Sequence, residues 1–320
     1  MNYETYIGHP AQISGVEEVS LLKGKGKGMT LLQVRNGRGL DFTLSADRAM
    51  DISRLSFKGD NMGFFSPCGY VAPTFYDNKG EGFLKSFTAG FLTTCGLTAV
   101  GSPCVDDGEE LPLHGTISNT PCENYDYYET DDEIIINAKV RDAQLFGHKL
   151  ILLRKFICSK SENKITIEDE IKNIGTVSSP CMILYHFNVG YPLLTENAKL
   201  KIPNNSVVGR NKHAQDDIEN ALIVEKPQAN YEEKCYFYDG VTKCEIYNPD
   251  IKKGFIMNFN NDVLNCFTQW KMMGECDYVM GLEPANCTPD GRAEMRKQGL
   301  LKFLNPQESF KTKITLEFIE

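Results

Sequence analysis

Two histidines and one glutamate stand where their types and surroundings suit proton transfer. His114 lies in LPLHG, His186 in LYHFNVG and Glu283 in GLEP. An imidazole and a carboxylate can exchange protons near neutral pH, so this set suits general acid–base catalysis without a metal. Glu283 ends an apolar run just before a proline, and partial desolvation there raises the pKa of a carboxyl towards the range of a useful base.

Each of the three residues also has a purely structural interpretation. A lone histidine in an apolar strand is more often a core residue that hydrogen-bonds the backbone. Glu283 could simply cap the turn that follows it. The remaining histidines, His9, His148 and His213, are interpreted as structural.

Two further pairs of residues could contact a ligand. Arg48 and Asp51 lie in ADRAMDI, and Trp270 and Lys271 lie in QWK. The fork of donors on Arg48 suits an acidic or polyhydroxy group, although a surface ion pair would explain the same residues. The face of Trp270 suits the C–H surface of a small molecule and Lys271 suits a hydroxyl or an anion, with core packing of Trp270 as the structural alternative.

Strand signals dominate the elements that must position these side chains. Apolar or alternating runs bounded by turn residues predict strands at Gly28–Val34, Leu40–Leu44, Met50–Phe57, Glu133–Val140, His148–Cys158, Lys164–Lys172, Cys181–Val189, Lys243–Tyr247, Gly254–Phe259, Cys266–Lys271, Tyr278–Leu282 and Phe310–Phe318. Lys164–Lys172 alternates most clearly, with its isoleucines on one face and charges on the other.

The rest of the chain is irregular or weakly helical. Asn61 to Pro121 predicts a long irregular region, and loops of this length usually build a site. Helical signals are confined to Ala285–Lys297 and Asp216–Val224. Because turn residues recur throughout, as in a large antiparallel β-sandwich, we predict an all-β protein with few short helices, folded as one domain over residues 1–320.

Composition narrows the class of protein. A net charge of −9 and a pI near 5.2 argue against a nucleic-acid partner, which would need a basic face, and favour a small-molecule ligand. The longest apolar runs are too short to span a membrane, and the N-terminal residues lack the pattern of a signal peptide. The eleven cysteines form no CxxC motif, so a reducing cytoplasm is expected. The oligomeric state is not predicted.

Taken in order, LHG, YHFN and GLEP resemble the histidine, histidine and glutamate motifs of the aldose 1-epimerase or galactose mutarotase-like family. TCGL at Thr94–Leu97 and QWK at Gln269–Lys271 are similar to an uncharacterised mutarotase-like branch of that family. The resemblance runs from about residue 28 to the C-terminus. It implies a large β-sandwich, of the galactose mutarotase-like supersandwich type, with an open sugar-binding cleft.

The resemblance also implies a reaction, the interconversion of α and β anomers of an aldose with no cofactor. Glu283 would take the proton of the C1 hydroxyl, His186 would protonate the ring oxygen, and His114 would hydrogen-bond the ring or C1 oxygen. The chain departs from the family at two points. Phe87–Gly101 has no arginine where galactose mutarotases carry an Asn-Arg motif, and Glu232–Asp239 offers no aspartate that aligns with their sugar-binding one.

Several other functions remain open. Three histidines could ligate a metal, but the chain has no HxH or HxxxH pair. A non-catalytic sugar-binding protein would not require an acid–base pair. Glycoside hydrolysis usually uses two opposed carboxylates, of which only Glu283 occurs in a motif. A different epimerisation or an aldose–ketose exchange would use much the same pair.

Overall fold

Nearly all regular structure in the computed structural model, which describes residues 5–320, is β-strand. Residues 1–4 of the predicted domain lie outside the described residues. The strands, numbered β1 to β25 in chain order, are Gly15–Ser20, Thr30–Arg35, Leu40–Ser45, Asp51–Phe57, Asp60–Asn61, Phe64–Phe65, Ala89–Gly90, Leu92–Leu97, Cys104–Asp106, Glu109–Leu111, Cys122–Glu129, Glu133–Ala143, Lys149–Ser159, Lys164–Asn173, Ser179–Pro180, Met182–Val189, Lys199–Lys201, Ser206–Gly209, Lys234–Asp239, Lys243–Asn248, Lys253–Phe259, Cys266–Met273, Tyr278–Ala285, Phe303–Leu304 and Ser309–Ile319.

Helices are few and short. The α-helices are α1, Lys212–Asp216, and α2, Arg292–Lys297. Single 3-10 turns occupy Pro10–Gln12, Pro73–Phe75, Gly82–Lys85, Ile117–Asn119 and Ile218–Asn220. Among residues 5–320, no helix is long and apolar enough to cross a membrane.

Three antiparallel sheets carry most of the strands. Their strand orders are β1-β2-β3-β4-β5, β11-β12-β13-β14-β25-β21-β20-β17 and β18-β19-β22-β23-β16-β8. One cluster of buried apolar side chains includes Phe42 of the first sheet, Phe156 of the second and Phe187 of the third. The predicted all-β antiparallel architecture is confirmed, and burial of this shared cluster is its main source of stability.

The predicted strands match observed strands to within a few residues at each end, and the differences lie elsewhere. Leu92–Leu97, within the region predicted to be irregular, forms β8 beside β16. All six of its residues are buried, so it lacks the alternation that would have marked it. Ala285 belongs to β23 rather than to a helix, and α1 ends at Asp216, where the second helical signal begins.

A buried ion network crosses the core. The guanidinium of Arg154 on β13 donates to Asp169 of β14 (Nη2–Oδ2 2.7 Å), Asp51 of β4 (Nη1–Oδ1 2.8 Å) and Thr94 of β8 (Nη2–Oγ1 2.8 Å). The hydroxyl of Tyr185 on β16 donates to Asp169 Oδ2 at 2.7 Å. Since each charge faces a partner, the network links all three sheets without leaving an unpaired ion.

Candidate active site

A cleft of about 250 Å³ lies on the face of the six-stranded sheet that is turned away from the core. On β16, Tyr185 and Phe187 point into the core cluster, so strand alternation sends His186 to the opposite face. The adjacent strands β23, β22 and β19 contribute further residues to the same face. The lining residues are Glu81, Phe83, Leu84, Phe87, Gly101, Ser102, Pro103, Leu113, His114, His186, Arg210, Glu233, Cys235, Thr268, Trp270, Glu283 and Pro289.

His186 and Glu283 meet in this cleft. Nε2 of His186 lies 3.1 Å from Oε1 of Glu283, and both side chains are buried. The contact lacks hydrogen-bond geometry, so Oε1 has no donor among the described residues. The Glu283 carboxylate occupies the space beside the Cα of Gly281, and a Cβ added to that glycine would stand 2.3 Å from Oε1. Glycine at this position therefore allows the pair to form.

Burial sets the protonation of the pair. Desolvation raises the pKa of Glu283 well above its usual value; the charge of Glu233 adds to the rise and that of Arg210 opposes it. Desolvation, followed by the proximity of His114, lowers the pKa of His186 to about 3. Both effects disfavour the charged form, so burial favours a neutral carboxyl on Glu283 and a neutral imidazole on His186 in the free cleft.

His114 reaches the cleft from a loop. Its backbone has a φ of 60°, and its N–H donates to the carbonyl of Gly101 at 2.9 Å. A Cβ on the next residue, Gly115, would lie 2.3 Å from the carbonyl of Gly96, so this approach to β8 requires glycine. The His114 ring packs 5.6 Å from the ring of His186. Burial, and then Arg210, lower the pKa of His114 to about 4.

Trp270 and Lys271 point to opposite faces of β22, as strand alternation requires. The Trp270 ring lies 5.3 Å from the His186 ring, and its Nε1 donates to Glu233 Oε2 at 2.7 Å. Lys271 is buried on the other face, where its Nζ forms an ion pair with Glu225 Oε2 at 2.6 Å and donates to the carbonyl of Asn220 at 2.9 Å. The structure thus brings Trp270 to the cleft and leaves Lys271 away from it.

Arg48 and Asp51 are also away from the cleft. Both are buried, because the segment that leads into β4 packs beneath the loops. Arg48 Nη1 donates to the carbonyls of Val71 (3.1 Å) and Ser86 (2.8 Å), and Asp51 binds Arg154. The predicted contact of Arg48 and Asp51 with a sugar does not fit this placement, and neither does the alternative of a surface ion pair.

Three charged lining residues were not singled out by the sequence analysis: Glu81, Arg210 and Glu233. Glu233 immediately precedes β19, inside the segment that offered no aligned aspartate. It shares its face with Cys235, which pairs with Trp270 across the sheet, so alternation could have found it. Arg210 follows β18 and supplies an arginine from a different element than Phe87–Gly101. No local pattern marks it.

The three histidines that could together ligate a metal do not meet in the described structure. Across residues 5–320, no three His, Cys, Asp or Glu side chains are grouped so that they could hold an ion. His148 does not join His114 and His186; its Nε2 contacts Asp142 at 3.1 Å. His148 therefore has a structural partner, as the sequence analysis predicted.

Comparison with known proteins supports the fold. A family model described as a domain of unknown function (DUF4432) matches residues 26–318. A candidate aldose 1-epimerase from Klebsiella pneumoniae is 26% identical, with a TM-score of 0.90 over 95% of this chain and 83% of that chain. No curated protein matches the sequence.

More distant structures share the same architecture. A galactose mutarotase-like protein from Clostridium acetobutylicum is 12% identical, with a TM-score of 0.70 over 96% of this chain and 99% of that chain. Galactose 1-epimerase from Lactobacillus acidophilus is 14% identical, with a TM-score of 0.65 over 95% of this chain and 98% of that chain. At these identities the likeness establishes the fold alone, and it confirms the mutarotase-like sandwich expected from the sequence motifs.

Proposed function

The chain belongs to the DUF4432 family, whose description gives no function. For this member of the family we propose an isomerase that interconverts the α and β anomers of an aldose. The observation that carries the proposal is the buried pair of His186 Nε2 and Glu283 Oε1, 3.1 Å apart in a cleft walled by Trp270. A carboxyl and an imidazole in direct contact can relay a proton between two sugar oxygens.

The proton balance of the pair suits ring opening. Transfer of the carboxyl proton of Glu283 to Nε2 of His186 creates a carboxylate base and an imidazolium acid. Glu283 then removes the C1 hydroxyl proton, the C1–O5 bond breaks with its electrons on O5, and His186 protonates O5. This step returns the proton to Glu283 and leaves His186 neutral. Rotation about C1–C2 and the reverse sequence close the ring on the other face.

The other walls of the cleft suit a sugar. The face of Trp270 offers a surface for sugar C–H groups, and Glu233 offers a carboxylate acceptor beside it. The imidazole of His114, whose pKa is lowered by burial, would hydrogen-bond the ring or C1 oxygen. We propose a small-molecule sugar as the ligand and a metal-free mechanism. The eleven cysteines are all free, which supports a reducing cytoplasm as the compartment.

Exchange NMR on a panel of reducing sugars tests the proposal. The wild type should accelerate anomer exchange of at least one sugar, and His186→Ala and Glu283→Gln should each lose at least about 10²-fold in kcat, as expected when an acid–base group is removed. His148→Ala is the control, because that imidazole contacts Asp142 outside the cleft. No acceleration by the wild type would refute the activity, and full activity in both variants would refute the assigned pair.

A further inference from the structure

Arg210 is the one arginine or lysine among the described residues that line the cleft. Its backbone N–H donates to the carbonyl of Cys235 at 2.9 Å, which holds it against β19. Its side chain is 28% exposed and therefore reaches the cleft without being free in solvent. A guanidinium in that position is a fixed positive charge beside the proton-transferring groups.

Two of the three guanidinium nitrogens are held by the protein. Nε donates to Asp290 Oδ1 at 3.1 Å, and Nη2 donates to Ser102 Oγ at 2.8 Å and to the carbonyl of Pro289 at 3.2 Å. Asp290 is itself fixed by the hydroxyl of Thr288 at 2.8 Å. Within residues 5–320, Nη1 donates to no oxygen or nitrogen, and the Cys235 thiol is the other side-chain group beside the guanidinium, so Nη1 keeps donor capacity for a ligand.

The charge of Arg210 acts on both of the groups that face the reacting end of a sugar. The geometry brings it close to His114, because Nη2 donates to Ser102 Oγ at 2.8 Å and Ser102 follows Gly101, whose carbonyl accepts the backbone N–H of His114. Its charge also helps to lower the pKa of His114 and opposes the raised pKa of Glu283. The two imidazoles are neutral in the free cleft because burial lowers both pKa values. The guanidinium is therefore the cation that can offset negative charge on a substrate oxygen next to Glu283.

We propose that Arg210 is a catalytic residue of this cleft, whose Nη1 donates to the C1 oxygen of the sugar as that oxygen loses its proton. This inference rests on the proposed anomer exchange. While Glu283 removes the C1 hydroxyl proton and before the C1–O5 electrons have moved to O5, the excess negative charge lies on the C1 oxygen. A preorganised donor aimed at that oxygen stabilises the transition state more than the ground state.

The test compares Arg210→Met, which removes the charge and the donors, with Arg210→Lys, which keeps the charge on a single compact ammonium. Arg296→Met is the matched control, because Arg296 is also a partly exposed arginine paired with an aspartate, Asp106, and it does not line the cleft. In anomer exchange, kcat should fall about 10²-fold in both Arg210 variants, the effect of removing one oxyanion donor. Guanidinium added to Arg210→Gly should restore part of the rate.

A titration of the His114 imidazole by NMR tests the placement without any activity. Its pKa should rise from about 4 in Arg210→Met and stay unchanged in Arg296→Met. The titratable and charged groups that also face His114 or Glu283 are His186, Glu233, Cys95 and Cys235. Those groups are retained in every variant, so a shift of the His114 pKa reports the loss of Arg210.

The outcomes separate this inference from the proposed function. If the wild type exchanges no anomers, the proposed function and the catalytic role that rests on it are both refuted. If the wild type is active but the Arg210 variants keep the rate of Arg296→Met, or if the His114 pKa does not move, only the role of Arg210 is overturned.

Discussion

Gly281→Ala should remove activity while leaving the fold almost unchanged. The added Cβ would stand 2.3 Å from Glu283 Oε1 and 3.0 Å from Trp270 Cβ, whereas ordinary contact begins near 3.4 Å. The carboxylate must therefore retreat by roughly 1 Å from its place beside His186. Displacement of a catalytic group on that scale costs about 10²-fold in kcat, or about 2.7 kcal/mol of transition-state stabilisation.

The stability of Gly281→Ala should stay close to that of the wild type. Oε1 is the far end of a flexible side chain and can move at little cost, although Trp270 must give by a few tenths of an ångström. Replacing glycine by alanine also removes freedom from the unfolded chain, which offsets part of that strain by about 0.4–1 kcal/mol. The free energy of unfolding should therefore change by less than about 1 kcal/mol.

Urea unfolding and exchange NMR together check this prediction. The matched control is Gly274→Ala, whose Cβ would meet the flexible end of Met272 at 2.9 Å outside the cleft; it should keep both stability and rate. A Gly281→Ala protein with wild-type kcat would show that the observed position of Glu283 is not the one used in catalysis. A protein that failed to fold would refute the reasoning on stability.

Three further predictions concern the stability of variants in which a buried ionisable side chain is replaced. Arg154→Met should lower the free energy of unfolding by about 3–5 kcal/mol in urea titrations, because Asp51 and Asp169 would stay buried without their cation; an unchanged midpoint would contradict this. Glu283→Gln should raise stability relative to the wild type at pH 8 and not at pH 4, since a raised folded pKa makes the wild type lose stability as the pH rises above the unfolded value near 4.5; a gain that is equal at both pH values would count against it. The effect is reversed for His186, whose pKa falls from 6.5 to about 3 in the folded state, so the wild type loses stability as the pH drops below about 6.5. His186→Gln should therefore lose less stability than the wild type during acid unfolding. Parallel curves of unfolding free energy against pH for the two proteins would refute this.

The sequence predicted β14, whose faces alternate, and also the wholly buried β16, but it did not predict β8, which is likewise buried on both faces. In β14 the isoleucines at 165, 167 and 171 alternate with charges, and the predicted strand was found. Asp169 lies on that same buried face, because Arg154 and the hydroxyl of Tyr185 donate to it from other strands. Since its partners are 15 and more residues away along the chain, no local pattern could have indicated it.

The site was also predictable only in part, because its assembly depends on residues that are distant along the chain. Motifs located His114, His186 and Glu283, but their meeting depends on the register of β16 with β23 and on a loop held against β8. Trp270 and Lys271 are neighbours in sequence, yet alternation allows only one of them to face the cleft. Arg210 comes from a segment without regular periodicity, so its position follows from the path of the chain and not from local sequence.

The Arg154 network has a consequence for how the chain folds. Asp51 and Arg154 are 103 residues apart, and their partners lie in all three large sheets. A partly folded molecule in which the first and third sheets had closed without the second would hold Asp51 away from water without Arg154, which is unfavourable. Such intermediates should be scarcely populated, and calorimetric and van't Hoff enthalpies of unfolding should agree in the wild type. Replacement of all three ions by apolar residues would relax that coupling, and the two enthalpies should then diverge.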